Sequence, residues 1–385
     1  MVLKAGRGSA IPPFHVMDVI AAANAHAARL GPHDPAVIRM EVGQPGLGAP
    51  AGAAAAAEAA LRSGNALGYT EAFGLPSLRA RIARHYTAWY GVPLDARRIA
   101  VTTGASGAFP LAFLSAFDPG DRVALAAPYY PPYVNILTAL GIEPVILETS
   151  LESRFQPTIA MLERLDTKPA GLIVASPSNP AGTMLHADEL AALARWCHAH
   201  GVRLVSDEIY HGLHFEQAIT TAAAFSPSAI VINSFSKYFS MTGWRVGWMV
   251  LPEDLCRPAE RLAQNLFISA PHIAQIAAEA AFDCDEELEA RRASYRRARD
   301  LLVDTLPRAG FARLSPAEGA FYLYADISDR GESSDDFCAR MLREIGIAAT
   351  PGIDFDARRG QNFVRFSYCA GEEAVEEAAA RLLRW

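Results

Sequence analysis

Lys237 ends the segment Ser234-Phe235-Ser236-Lys237, which follows an apolar run, and Arg245 lies a short way further along the chain. Taken alone, a lysine in such a place is compatible with an ordinary surface charge. Hydroxyl groups combined with a guanidinium, however, make a good cradle for phosphate, because the guanidinium binds phosphate oxygens as a fork. A lysine beside a phosphate site is what an imine-forming cofactor requires. The pattern therefore marks Lys237 as a candidate nucleophile, and Ser234, Ser236 and Arg245 as candidate phosphate ligands.

A second polar segment, Ser206-Asp207-Glu208-Ile209-Tyr210, also follows an apolar run. Its carboxylates and its tyrosine are compatible with a metal site, with a solvated turn, or with a charge partner for a cationic ligand. His211 and His214 lie nearby, but no third ligand with suitable spacing is found, and metal ions need several ligands that converge on one point. The sequence therefore predicts no metal site and leaves Asp207 and Tyr210 as candidate binding residues.

Two further segments with special backbone requirements follow apolar runs. Ser176-Pro177-Ser178-Asn179-Pro180-Ala181-Gly182 contains prolines and a glycine, which favour a stiff turn that could present the Asn179 amide as a fixed donor. The small residues Gly104, Ala105 and Ser106 precede a helix-like segment, where backbone N–H groups can approach an anion. Neither the lysine of a P-loop nor a glycine-rich dinucleotide motif is present, so nucleotide-binding and nicotinamide-binding sites are not indicated.

Between about residues 98 and 251, short apolar runs alternate with longer amphipathic stretches. Buried strands that alternate with helices are typical of an α/β fold, and such sheets bind ligands at the carboxyl ends of their strands. We therefore predict an α/β protein with a large domain, built on a mostly parallel seven-stranded sheet that is flanked by helices. The predicted strands are Ile99–Thr102, Val123–Ala126, Val145–Leu147, Leu172–Ala175, Arg203–Ser206, Ile230–Asn233 and Trp244–Val250.

The character of the sequence changes near residue 285, where a highly charged helix is predicted over Glu286–Asp300. The elements predicted after it are strands at Phe321–Ala325, Ile347–Thr350 and Phe363–Ser367, and a last helix at Glu372–Trp385. This pattern predicts a smaller α+β domain, on which the N-terminal segment packs. We expect residues 46–289 to form the large, cofactor-binding domain, and residues 1–45 and 290–385 to form the small domain.

The composition excludes several classes of function. Of the 385 residues, 51% are hydrophobic and 20% are charged, and the net charge of -7 indicates no basic surface for nucleic acid. No apolar stretch has the length of a membrane span, and the residues after Lys4 and Arg7 lack the apolar run of a signal peptide. Five scattered cysteines form no CxxC pair, which is typical of reduced thiols. We therefore expect a cytoplasmic protein that binds neither nucleic acid nor membrane.

Taken in order, these motifs resemble those of fold-type I pyridoxal-phosphate enzymes, specifically the aspartate aminotransferase family, also called class I/II aminotransferases. The resemblance extends from Gly43-Gln44-Pro45 to Arg365. It implies that Lys237 binds pyridoxal 5'-phosphate as an imine and, once substrate has released it, moves a proton between the substrate and the cofactor. It also implies that Asp207 pairs with the pyridinium nitrogen, because a carboxylate keeps the electron-withdrawing ring protonated.

The resemblance implies further roles around the cofactor. Tyr210 and Asn179 are expected to hydrogen-bond its 3′ oxygen, and Tyr130 is expected to stack on its ring. Tyr69 resembles the tyrosine that reaches across a dimer interface to the phosphate in the other subunit, so a homodimer is implied. The phosphate ligands implied within one subunit are Gly104, Ala105, Ser106, Ser234, Ser236 and Arg245.

Arg365 resembles the arginine that grips the α-carboxylate of the substrate as a fork. Gly43 is expected to lie against that carboxylate through its backbone, and Asn179 is expected to contribute to the same substrate site. The implied activity is a ping-pong transfer of an amino group between an L-amino acid and a 2-oxo acid. The shared scaffold leaves a lyase open as the alternative, either a β-eliminating C–S lyase or a cyclopropane-forming synthase.

Ser106 is a departure from the resemblance that bears on the substrate. Bacterial members of this subgroup that prefer aspartate often have a lysine at this position, which holds the distal carboxylate. A serine cannot supply that charge, so a neutral donor, such as alanine, valine or an aromatic amino acid, stays open beside aspartate. The apolar stretch Ile11-Pro12-Pro13-Phe14 resembles the segment that covers the substrate pocket in this family, which suits a less polar side chain.

Overall fold

The computed structural model describes residues 3–385, so the first two positions of the predicted small-domain segment 1–45 lie outside the described residues. The strands are β1 (Ile38–Arg39), β2 (Ile99–Thr102), β3 (Arg122–Ala127), β4 (Glu143–Glu148), β5 (Gly171–Ala175), β6 (Arg203–Asp207), β7 (Ile230–Ser234), β8 (Gly247–Val250), β9 (Tyr322–Asp326), β10 (Ile347–Ala348), β11 (Thr350–Pro351) and β12 (Phe363–Ser367). The α-helices are α1 (His15–Ala27), α2 (Ala51–Arg62), α3 (Pro76–Tyr90), α4 (Ala105–Ala116), α5 (Pro132–Leu140), α6 (Ile159–Glu163), α7 (Ala187–Ala199), α8 (Glu253–Leu266), α9 (His272–Ala281), α10 (Asp285–Arg308), α11 (Ser334–Ile345) and α12 (Glu372–Leu382).

The central sheet has seven strands in the order β2-β8-β7-β6-β5-β3-β4. Only β8 runs antiparallel to its neighbours, β2 and β7, which confirms the prediction of a mostly parallel sheet flanked by helices. Alternate residues of a strand belong to two separate apolar clusters: Leu172 and Val174 of β5 lie in one, and Ile173 lies in the other. The sheet is therefore buried on both faces, which explains why its strands are continuous apolar runs in the sequence.

Two predicted strands differ from the observed ones. The predicted run Trp244–Val250 is a strand only from Gly247, because Trp244 belongs to a short 3-10 helix and Arg245 adopts a left-handed backbone conformation with φ 54°. The prediction of one strand over Ile347–Thr350 is wrong. That segment forms β10, which pairs with β1, and β11, which pairs with β12 in another sheet.

The C-terminal part of the chain forms a three-stranded antiparallel sheet in the order β11-β12-β9. The N-terminal strand β1 pairs with β10 of this part. The predicted charged helix is longer than expected, since α10 covers Asp285–Arg308. The boundary expected between residues 289 and 290 falls inside this continuous helix, and the division into domains stays a prediction.

The topology brings the polar segments of the sequence to one edge of the central sheet. The parallel strands β5, β6 and β7 end at Ala175, Asp207 and Ser234, so the segments that carry Asn179 and Lys237 begin on either side of Asp207. Helix α4 begins at the same edge, directly after β2. No helix of residues 3–385 combines the length and the apolar character that crossing a membrane requires. The cysteines are free thiols.

Candidate active site

A cavity of about 300 Å³ lies at the carboxyl ends of the strands and reaches helix α1 and strand β12. It brings together most of the residues that the sequence marked, although they come from distant parts of the chain. The marked residues that line it are Gly43, Ala105, Ser106, Tyr130, Asn179, Asp207, Tyr210, Ser236, Lys237, Arg245 and Arg365.

Three marked residues lie outside the cavity lining. Ser234 is buried behind Ser236, and its hydroxyl donates to the Ser236 hydroxyl at 2.9 Å. Gly104 precedes α4 with φ 72°, and a Cβ at this position would stand 2.7 Å from Nη2 of Arg245. Gly104 is therefore needed for the close approach of Arg245. Tyr69 is 82% exposed and lies away from the cavity of its own chain.

Lys237 lies with its amine inside the cavity, where Nζ donates to the backbone oxygen of Gly43 at 2.5 Å. Burial lowers the pKa of Lys237 to about 8. The Cys369 thiol and Asp207 oppose this shift, while the positive charges of Arg365 and Arg245 add to it. A neutral amine is therefore accessible near neutral pH, as a nucleophile or a proton carrier requires.

Asp207 is a buried carboxylate, 3% exposed, at the end of β6. Its oxygens accept hydrogen bonds from the Tyr133 hydroxyl and from the backbone N–H of Ile209, the latter at 3.1 Å. Burial raises the pKa of Asp207 to about 6, and these hydrogen bonds and Lys237 moderate the rise. Within residues 3–385 no arginine, lysine or histidine forms an ion pair with it. A cationic ring nitrogen in the cavity fits this carboxylate, because buried charges need a partner.

The neighbouring carboxylate, Glu208, faces away from the cavity. It is 1% exposed and accepts from the backbone N–H of Ala222 at 2.8 Å and from the Ser206 hydroxyl at 3.1 Å. Burial raises the pKa of Glu208 to about 8. Of the two carboxylates in the segment, Asp207 alone lines the cavity. The part of the chain that the structure describes contains no group of three His, Cys, Asp or Glu residues placed to hold a metal ion.

One end of the cavity is suited to an anion. Helix α4 begins at Ala105, and the first N–H groups of a helix have no intrahelical acceptor and carry partial positive charge. Arg245 lies beside them, with Nη2 3.4 Å from the Ser106 hydroxyl, and the Ser236 side chain lines the same cavity. These donors together fit a phosphate group.

Arg365 forms a second anion site and is only 3% exposed. Nη1 donates to Oδ1 of Asn179 at 2.8 Å, and Nη2 donates to the backbone oxygen of Glu41 at 2.6 Å and to the Thr350 hydroxyl at 3.0 Å. The guanidinium lies over the Tyr322 ring, 4.4 Å from its centre. Its Nε is buried without a partner among residues 3–385, so this donor remains for a ligand carboxylate.

Tyr210 is also held from the C-terminal part of the chain. Its hydroxyl lies 2.8 Å from that of Tyr322, and both side chains are buried. A Cβ on residue 43 would stand 2.0 Å from the Tyr322 hydroxyl, so Gly43 is needed for this approach. The Oδ1 acceptor of Asn179 is taken by Arg365, so its Nδ2 group is the part of the amide that can donate to a ligand.

Sequence reasoning missed several residues that hold the site. Tyr133 could have been suspected, because it lies in a tyrosine-rich segment directly after β3. Tyr322 and Thr350 carried no signal, since they belong to strands of another sheet. Cys369 also carried none. Its thiol is buried and lies 3.2 Å from the Val42 oxygen and 3.0 Å from the Gln44 oxygen, and so it fixes the backbone around residue 43.

Comparisons with known proteins agree with this geometry. Residues 35–382 match the protein family described as aminotransferase class I and II. The valine–pyruvate aminotransferase of Mycobacterium tuberculosis is 47% identical to this chain and aligns over 100% of the chain and 98% of its own length.

Solved structures share the fold over the whole chain. An aminotransferase from Mycobacterium tuberculosis matches with a TM-score of 0.96 at 46% identity, covering 100% of this chain and 99% of the other. The aspartate aminotransferase of Thermus thermophilus, solved with maleate, matches with a TM-score of 0.92 at 30% identity over 100% of both chains.

A sheet covered on both faces, with a lysine, a buried carboxylate and a buried arginine around one cavity, is compatible with an enzyme that transfers amino groups. The chain belongs to the class I and II aminotransferases. It moves an amino group between an amino acid and a 2-oxo acid, as the sequence predicted. The relatives described above are all aminotransferases, so the comparisons give no support to the lyase alternative.

We expect Lys237 in the ligand-free protein to react with amine reagents at a rate that rises as the pH passes through about 8. The neutral amine is the reactive form, and the lowered pKa brings it out at a lower pH than in an ordinary lysine. Reductive methylation followed by mass spectrometry measures this rate, and the exposed Lys4 and Lys168 serve as references in the same digest. A rate that first rises near the ordinary lysine pKa of about 10.4 would contradict the prediction.

Proposed function

We propose that this protein uses pyridoxal 5'-phosphate to transfer the amino group between an L-amino acid and a 2-oxo acid with uncharged side chains, by a ping-pong mechanism. The observation that carries the choice of substrate is the apolar wall that helix α1 and the residue before it contribute to the cavity. A side-chain carboxylate brought against this wall would lose its water without gaining a partner, at a large cost in free energy. The wall consists of Phe14, Val16, Met17 and Ile20.

Each cation that lines the cavity is assigned to a group other than a side-chain carboxylate of the substrate. Lys237 supplies the amine, Arg245 belongs to the phosphate end, and Arg365 binds the α-carboxylate that every amino acid and 2-oxo acid carries. Within residues 3–385 no other lysine or arginine lines the cavity. Ser106, at the phosphate end, is uncharged and cannot bind a second carboxylate as an ion pair.

The comparison with the Mycobacterium tuberculosis relative supports the same reading. Its name states an exchange between valine and pyruvate, and both molecules have uncharged side chains. The Thermus thermophilus relative is named an aspartate aminotransferase, but its identity to this chain is 30%, against 47% for the former. We therefore propose a neutral amino acid, with alanine and valine as the first candidates, and pyruvate or a similar 2-oxo acid as its counterpart.

The residues of the cavity fit pyridoxal 5'-phosphate. When bound, the cofactor supplies an aldehyde for the lysine and a ring that withdraws electrons from the substrate's α-carbon. Asp207 would pair with the positive charge of the ring nitrogen, which would offset the cost of its own burial. Tyr130 would lie against the ring, while Tyr210 and the Nδ2 group of Asn179 would donate to its 3′ oxygen.

The phosphate is proposed to bind where the N–H groups of α4, Ser236 and Arg245 converge. Gly104 and Ser234 support this end from behind, since Gly104 gives room to Arg245 and the Ser234 hydroxyl is bonded to that of Ser236. Dianionic phosphate at a helix N-terminus beside an arginine forms charge-assisted hydrogen bonds. This end therefore anchors the cofactor.

Two residues of the chain then act on the substrate. Arg365 binds its α-carboxylate, with the backbone of Gly43 and the Asn179 amide beside it, and this fixes the α-carbon near Lys237. Lys237 would act as the base that takes the α-proton of the substrate and as the acid that returns a proton, for which its lowered pKa is suited. The pKa of the buried Tyr210 is raised well above its usual value, so its hydroxyl acts as a hydrogen-bond donor and does not ionise.

We also propose that the protein is a cytoplasmic homodimer. Tyr69 is 82% exposed and lines none of its own chain's active-site cavity, so its hydroxyl is available to the phosphate end of a partner subunit. The free thiols are those expected of a reducing compartment.

Replacing Lys237 by alanine is expected to abolish both turnover and the visible absorbance of the bound cofactor, because the covalent link and the base are lost together. Absorbance spectra and a coupled assay with valine and pyruvate measure the two effects. Lys168→Ala, a change at an exposed lysine, is the control and should leave both unchanged. Normal turnover in the Lys237 variant would exclude the proposed mechanism.

Arg365→Ala is expected to lower kcat/KM. The loss should correspond to about 2–5 kcal/mol of activation free energy, because one partner of a buried, hydrogen-bonded charge pair is removed. Arg365→Lys should recover only part of this loss, because an ammonium keeps the charge but cannot form the fork. Steady-state kinetics with one neutral donor measures both variants, and Arg308→Ala on the surface of α10 is the control. An unchanged kcat/KM in Arg365→Ala would remove this residue from the substrate site.

A panel of amino acids, each mixed with the holoenzyme while the loss of imine absorbance is followed, tests the substrate class. Alanine and valine are expected to react, and aspartate to react far more slowly. Ser106→Lys should shift the preference toward aspartate, and Ser106→Gln, similar in length but uncharged, should not. A wild-type enzyme that prefers aspartate would overturn the proposal of uncharged substrates.

A further inference from the structure

Helix α1 begins at the mouth of the active-site cavity, and its N-terminus is held by a side chain from the far end of the chain. The residue before the helix, Phe14, makes no side-chain cap. Instead the Asp354 carboxylate accepts from the backbone N–H of His15 at 3.0 Å and from that of Val16 at 3.2 Å. An acidic group that accepts from the first N–H groups of a helix fixes the position of that end and suits the helix dipole.

Asp354 is buried, with 6% of its surface exposed. Its raised pKa is caused by this burial, against which the two N–H groups, Arg365 and His15 act. A buried carboxylate needs hydrogen-bond donors to offset its desolvation. Among the hydrogen bonds that the structure describes, the donors to the Asp354 carboxylate are the two N–H groups of α1. The contact is therefore specific.

The end of α1 that Asp354 holds is the end that forms the apolar wall of the cavity. Phe14, Val16, Met17 and Ile20 line the cavity. The Phe14 ring also meets the Tyr130 ring edge-on, with the ring centres 6.1 Å apart. A small displacement of the helix N-terminus would move all of these side chains and change the space left for the side chain of a substrate.

Asp354 belongs to the same short segment as a residue that positions the substrate's arginine. Strand β11 contains Thr350, whose hydroxyl accepts from Arg365 at 3.0 Å and donates to the Glu41 oxygen at 3.0 Å. The 3-10 helix that ends with Asp354 follows this strand directly. One short segment thus contacts both Arg365, the proposed ligand of the α-carboxylate, and the helix that carries the apolar wall.

We propose that Asp354 is a positioning residue for substrate selection: through the N-terminus of α1 it sets the distance between the apolar wall and Arg365, and hence the size of side chain that the enzyme accepts. The inference rests on the proposed function, since it concerns an uncharged side chain in this cavity. It goes beyond that function because it assigns discrimination among neutral donors to a residue that does not touch the substrate.

The experiment compares Asp354→Asn and Asp354→Ala with the wild-type holoenzyme. Kinetics are measured with alanine, valine and phenylalanine, and hydrogen exchange is measured on peptides that cover residues 14–20. Losing a helix cap is expected to raise KM for valine by about five- to tenfold with a smaller change in kcat. The ratio of kcat/KM for phenylalanine to that for alanine should change, and exchange should be faster in α1 alone.

Asp34→Asn is the matched control, because the Asp34 carboxylate also accepts a backbone N–H, that of Gly31 at 2.7 Å, in an exposed turn away from the cavity. It should leave kinetics and exchange in α1 unchanged. Met17→Ala is a second variant, which shortens the wall without touching the cap. It is expected to favour phenylalanine over alanine relative to the wild type.

Each outcome decides the matter. Faster exchange in α1 with unchanged donor ratios would reduce Asp354 to a structural cap and overturn the proposal, as would normal exchange in α1. If Asp354→Ala does not fold, Asp354→Asn and Met17→Ala still decide, because an unchanged donor ratio in Met17→Ala would show that the wall does not select side chains. A wild-type enzyme that rejects neutral donors would refute the proposed function instead, while the exchange data would still report on the cap.

Discussion

The buried guanidinium of Arg365 is the constraint on which the arrangement of this enzyme depends. A charged group with 3% exposure needs hydrogen-bond partners for most of its donors, and both terminal nitrogens of Arg365 have them. Its partners are an amide from the turn after β5, a backbone oxygen from the N-terminal segment and a hydroxyl from β11. Satisfying this one side chain therefore brings three distant parts of the chain together, and the substrate cavity is the space that they enclose.

The same requirement explains the electrostatics of the cavity. Asp207 is buried next to Lys237 and has no ion-pair partner in residues 3–385. Burial favours the neutral form of both groups, so it raises the pKa of Asp207 to about 6 and lowers the pKa of Lys237 to about 8. Each group is thus costly to the protein alone and becomes favourable when a ligand of complementary charge is present. The cost of burying and orienting these groups is met during folding and not during binding, which is the usual basis of preorganised sites.

Much of the fold and part of the site could be predicted from the sequence, and the division follows a physical rule. A strand buried on both faces is an apolar run, and the polar residues that follow it lie at the edge of the sheet. Asn179, Asp207 and Lys237 were found because each lies within a few residues of such a run. Their roles, unlike their positions, came from the family resemblance.

The residues that were missed have no such local mark. Tyr322 reaches the cavity through strand pairing in another sheet, and Cys369, just after β12, contacts the backbone on both sides of Gly43. Nothing in their neighbours along the chain indicates either contact. The strand predicted from Trp244 begins late because Arg245 takes a left-handed conformation that brings its side chain beside Gly104. That conformation is associated with a contact between distant segments of the chain, which the hydrophobic periodicity of the sequence cannot reveal.

A ping-pong enzyme uses one cavity for two substrates in turn, and this links the choice of donor to the choice of acceptor. In the proposed binding mode, the amino acid and the 2-oxo acid both present an α-carboxylate to Arg365 and a side chain to the wall formed by Phe14 and the first turns of α1. A wall that excludes a charged side chain must exclude it from both. An enzyme that exchanged a neutral amino acid for an acidic 2-oxo acid would need hydrogen-bond donors for the second carboxylate in one half-reaction and room for a neutral side chain in the other. The apolar wall, and the lack of a further lysine or arginine in the cavity lining of residues 3–385, therefore support the proposal of two substrates of the same class.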